Sequence, residues 1–214
     1  MKLNLVANAL SLGLLLVCAS SVLAENTKYG TNAGAALTTG DLNTLLGAEA
    51  GKSQTTANSN TFVGIQAGTA HTTGIDNTYV GAQTGTATTT TIDNTFIGAR
   101  AGQSSTTGND NTFVGKEAGL NNTAGEDNTF IGEEAGEANT SGIQNTHVGE
   151  DAGKNGTTGR GNTSLGKSAL YWNISADYNT ALGYKAGYDM GNPNLANAPA
   201  GELYNGSRNT AVGN

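Results

Sequence analysis

The chain has 214 residues, of which 13% are charged, 6% are aromatic and 32 are glycine. So few large apolar side chains exclude an ordinary globular core or a helical bundle. With 10 Lys and Arg against 17 Asp and Glu, the net charge of −7 lacks the clustered basic surplus that nucleic-acid binding needs, so no nucleic-acid partner is expected.

Residues 1–24 read as a secretory signal. Lys2 is the sole charge, a mostly apolar run extends from Ala9 to Val17, and Val22-Leu23-Ala24 offers the small residues favoured at a cleavage site. The mature chain is then expected to begin at Glu25, and loss of Lys2 takes its net charge from −7 to −8. Cys18, the single cysteine, falls in that segment, so the exported chain has no disulfide. No later stretch has the length and apolarity of a membrane span.

From Asn26 onward an Asn-Thr pair recurs every 17 residues, through Asn43, Asn60, Asn77, Asn94, Asn111, Asn128, Asn145 and Asn162 to Asn179, and returns out of phase at Asn209. Tandem units without a slip in register are the mark of a repeat protein whose coils stack on one another. An inserted residue would throw every later side chain off its ladder. The strict apolar phase also argues against disorder, which the composition alone would allow.

Numbered from its Asn, each unit follows N-T-F-V-G-x-x-A-G-x-x-x-T-T-G-x-D. Position four, from Tyr29 and Leu46 to Leu182 and Val212, never admits a strongly polar residue and is predicted to point inward. Strand parity then sends the position-two Thr inward as well, and position three outward, where Lys28, His147 and Ser164 are tolerated. Position eight is Ala except for Thr84, and position thirteen is Thr from Thr38 to Thr157 and then Ile174; both are predicted to face the interior. Position five is always Gly and position nine is Gly except for Leu170, as corners with positive φ require.

The expected fold is all-β: a parallel β-solenoid, or β-roll, of about ten 17-residue coils, stacked at about 4.8 Å into a rod about 48 Å long. An interior of Thr, Val and Ala is too narrow for a cofactor, and none is expected. The repeat domain spans 25–187. Residues 188–208, with Pro193 and Pro199, form an irregular insertion loop or cap, and 209–214 begin a further coil.

The pattern N-T-x-hydrophobic-G-x-x-A-G, clearest from Asn179 to Gly187, resembles the head repeats of trimeric autotransporter adhesins, the YadA-like or haemagglutinin-type repeat. The resemblance covers residues 26–187 and 209–213. It implies a left-handed roll, assembly of three chains side by side, and a surface that binds extracellular matrix or other cells. The repeat here is longer than the family's usual one, so each coil carries a longer turn. Neither a heptad stalk nor a C-terminal barrel pattern is present, so display by that family's own anchoring route is not expected.

On the predicted outward position three, Phe62, Tyr79, Phe96, Phe113 and Phe130, followed by His147, would form an apolar stripe about 19 Å long. Such a stripe marks an interface, and a homo-oligomer, with a trimer favoured, is its first reading; cover by the longer turn or direct ligand contact are the others. Asp76, Asp93, Asp110 and Asp127 stack at position seventeen, as Asx turns or as a Ca²⁺ array, with the turn favoured because the calcium-solenoid signature is missing. Glu133, Glu134, Glu150 and Asp151 read as a solvated face. His71 and His147 fall in different columns, and no Ser-His-Asp set or zinc spacing forms, so no catalytic or metal residues are expected. Trp172 and Tyr171 are placed to pack under the 188–208 loop.

The function expected is that of a non-enzymatic, exported or cell-surface adhesin-like protein, attaching to cells or matrix through many weak, identical contacts. A structural fibre or matrix module is the alternative. Ice binding is a third reading: position fourteen offers an outward Thr column, but position twelve beside it, also predicted outward, runs Leu37, Gln54, His71, Thr88, Ser105 and Asn122, so no two-file Thr array forms.

Overall fold

The structure, a computed structural model, describes residues 25–191 and 207–213. The predicted signal and most of the 188–208 insertion lie outside the described residues. Eleven three-residue strands run in chain order: β1 (Thr27–Tyr29), β2 (Thr44–Leu46), β3 (Thr61–Val63), β4 (Thr78–Val80), β5 (Thr95–Ile97), β6 (Thr112–Val114), β7 (Thr129–Ile131), β8 (Thr146–Val148), β9 (Thr163–Leu165), β10 (Thr180–Leu182) and β11 (Thr210–Val212). They form one parallel sheet in that same order, each Thr paired with the Thr of the next coil. The all-β, parallel β-solenoid is therefore the fold. β11 pairs with β10 in the same register, Thr180 to Thr210, so the late Asn-Thr pair continues the ladder across the insertion.

Each strand is stopped by its glycine corner. Gly98, at position five of the fifth coil, has φ 138°, and a Cβ there would lie 2.3 Å from the carbonyl oxygen of Gly115 in the next coil. Only glycine permits that approach. At position nine, Gly102 has φ 56°, and a Cβ would meet the Phe96 ring at 2.5 Å. That corner is empty because a ring fills it.

The inside and outside of the strands are the reverse of the sequence expectation. Phe62, Tyr79, Phe96, Phe113 and Phe130 are fully buried, and His147 nearly so; they form the core, not a surface stripe. Their rings stack coil upon coil with centroids 4.6 to 5.1 Å apart, from Phe62 to His147. Position four points outward instead: Ile97 and Ile131 are each 39% exposed, Leu165 48% and Val212 76%. The position-two Thr side chains share that outer face, half-buried or exposed along the whole sheet.

The physical reason is volume. Sheet spacing matches the separation of stacked rings, and one ring per coil fills the space between the strand and the buried position-eight alanines. Position four is aliphatic from Leu46 onward because branched residues pair well along a sheet surface, not because it is buried. Position eight is interior as expected. Position thirteen is half-buried to exposed rather than interior, and its Thr hydroxyls donate to carbonyls of the next coil, as Thr106 does to Thr123 at 2.9 Å. Position twelve is also reversed, with Gln54, His71, Thr88, Ser105 and Asn122 fully buried.

Core substitutions compensate one another. Tyr79 carries its hydroxyl into the core, where Thr91 replaces the usual position-fifteen glycine or alanine and meets it at 2.9 Å. Where the ring column shrinks to Ser164 and Ala181, Leu170 takes the place of a glycine and packs with Ala186 and Met190 in a second apolar cluster. Met190 sits at position twelve of the tenth coil, so the ordered coil runs past Gly187 to at least that residue. Beside His147, where position twelve is Gly156, a cavity of about 10 Å³ remains, lined by Asn139, Asn145, Asn162 and Asn173 among others.

Candidate binding face

The rigidity of the rod comes from its asparagines. Asn111 donates its side-chain amide to Asn94 Oδ1 at 3.2 Å and to the Gly125 carbonyl, in its own coil, at 2.9 Å. Its Oδ1 in turn accepts the backbone N–H and the amide of Asn128 at 3.0 and 3.2 Å. The same set recurs from Asn43 to Asn162, all buried, so each Asn both closes its own coil and fastens the next. Buried amides satisfied at both ends hold a fixed geometry.

On the opposite side of the same strands lies an outer face made of two files. One is Thr27, Thr44, Thr61, Thr78 and so on to Thr210; the other is Leu46, Val63, Val80, Ile97, Val114, Ile131 and their equivalents. Neither file contains a charged residue. Residues i and i+2 of a strand lie about 6.6 Å apart, and ranks repeat at about 4.8 Å, so the face is a two-dimensional array. No hydrogen bond within the described residues engages the position-two hydroxyls, in contrast to the position-thirteen Thr ladder.

The other predicted features resolve as follows. Asp76, Asp93, Asp110 and Asp127 sit at φ 57°, 56°, 58° and 58°, the left-handed turn conformation that Asp tolerates. Among the described residues no group of three His, Cys, Asp or Glu side chains converges as a metal site. The acidic residues at positions six and seven are paired, across coils as Lys116 with Glu133 at 2.8 Å, Lys167 with Glu150 at 2.7 Å and Lys154 with Glu134, and within one coil as Lys154 with Asp151. Burial works against the Lys154 ammonium, yet Glu134 and Asp151 hold its pKa above the ordinary lysine range. These are surface ion pairs along a solvated side of the rod.

Both histidines are interior. Burial pushes His71 down to about 4, against a weaker opposing influence of the Gly74 backbone, and neither ring nitrogen is in hydrogen-bond geometry. Burial likewise pushes His147 down to about 4, while its Nδ1 lies 2.8 Å from the Ser164 hydroxyl. Both are core residues. Tyr171 stacks on Tyr188 at 4.8 Å and meets the half-buried Trp172 edge-on.

Sequence reasoning missed the Thr and aliphatic face. The signal was present in the swap of Phe for Ser164 alongside Gly for Leu170, which conserves interior volume only if position three is inside. No protein-family model, curated protein or solved structure matches this chain.

Proposed function

We propose that this is a non-enzymatic, exported attachment protein of the adhesin-like kind, a rigid rod that presents one uncharged, repetitive face. The observation that carries the reading is the Thr and aliphatic array, identical in type over the ten ranks from β2 to β11 and held by the buried Asn ladder. Many weak contacts repeated at fixed spacing give avidity without a pocket. The interior, packed with rings, alanines and amides, offers no room for substrate. The ring column, being internal, no longer supports the trimer contact first drawn from it. The test is adhesion of the purified protein to immobilised collagen and to microcrystalline cellulose. Thr78→Lys with Thr112→Lys is expected to abolish adhesion, whereas the off-face change Thr107→Lys leaves it intact. Equal adhesion by both variants would refute the reading.

A further inference from the structure

Resting on the attachment reading, we infer that the ligand of the Thr and aliphatic face is the surface of an ice crystal. The sequence objection to ice binding was that no two-file array forms at positions twelve and fourteen. The reversal of strand parity supplies one elsewhere, at positions two and four, where one file carries hydroxyl and methyl groups and the other carries branched aliphatics.

Four observations favour a lattice of water over a macromolecule. Among the described residues the hydroxyls have no hydrogen-bond partner, and they repeat at the sheet spacing, so they present a periodic set of donors and acceptors to solvent. The two files hold no charge, and so nothing in them binds water strongly in an orientation set by an ion. The array is supported by ring stacking and by the doubly satisfied Asn ladder, so little side-chain or backbone freedom is lost on contact. A second copy laid on this strip, roughly 48 Å by 10 Å, would bury only about 1,000 Å² in total, below the roughly 1,200 Å² of a stable interface.

A folded polypeptide or a single glycan has no use for ten equivalent ranks, whereas a crystal plane meets all of them at once. Methyl and branched aliphatic groups order the water above them, and the Thr hydroxyls join that ordered layer at fixed spacing. Adhesion then grows with the number of ranks engaged.

The experiment uses ice itself as the probe. Purified protein is measured for thermal hysteresis, for inhibition of recrystallisation, and for incorporation into a slowly grown ice hemisphere. The wild type is expected to be incorporated and to slow recrystallisation. Thr78→Lys with Thr112→Lys, folded by circular dichroism, is expected to lose activity by about 10-fold or more, and Thr107→Lys to keep it. Exclusion of the wild type from ice, or equal activity of the face variant, overturns the inference. Face-dependent adhesion to cellulose or collagen without any effect on ice would also overturn it while leaving the attachment reading in place. Failure of every adhesion assay would remove both.

Discussion

Replacing Phe113 by Ala tests the parity of the strand directly. Phe113 is fully buried and stacks on Phe96 at 4.8 Å and on Phe130 at 4.9 Å. Buried Phe→Ala changes cost about 3–5 kcal/mol, and loss of two ring pairs, each about 0.5–1.5 kcal/mol within that figure, places this one in the upper half of the range. Val114, next in the same strand, points outward, and Val114→Ala is expected to cost about 0.5 kcal/mol or less. In a stack where each coil touches only its neighbours, a central defect also uncouples the two halves, so Phe113→Ala should broaden or split the transition. Urea unfolding followed by circular dichroism, with hydrogen exchange to locate the weakened coils, reads both effects. A Val114→Ala loss equal to or larger than that of Phe113→Ala would refute the assignment of inside and outside.

Asn111→Ala leaves the Asn128 N–H buried without its partner, while the Gly125 carbonyl keeps the Asn122 amide at 3.1 Å, and urea titration should show a loss of about 1–3 kcal/mol. Gly115→Ala places a Cβ 2.3 Å from the Gly132 oxygen at φ 139°; soluble yield and melting temperature should fall sharply, whereas Thr107→Ala should change neither. Acid should weaken the rod through its histidines. With folded values near 4 against an ordinary 6.5, the neutral imidazoles contribute stability that is complete above about pH 6.5 and is lost as pH falls towards 4, by about 3 kcal/mol for each histidine. His147→Phe, which extends the ring column, should flatten part of the melting-temperature slope between pH 6.5 and 4; an unchanged slope would count against burial as the cause. Light scattering across a concentration series is expected to give one mass, because the aromatic column is not available for a subunit contact.

Much of the molecule could be read from period alone. The 17-residue spacing of Asn and Thr, the invariant glycines and the small position eight dictate stacked coils, because a ladder tolerates no insertion within a rung and a corner that meets its neighbour's carbonyl tolerates no Cβ. The restart at Asn209 could be read in the same way. Which face of a three-residue strand is buried could not. Alternation in so short a strand offers two choices, and a uniform column arises equally from burial or from pairing along a sheet surface. Only the closed coil decided between them: its interior has the volume for one flat ring per rung at the sheet spacing, Gly102 and its equivalents clear space for that ring, and Val114 and Thr112 are left to solvent. The period thus specified the rod, and side-chain volume in three dimensions specified the surface it presents.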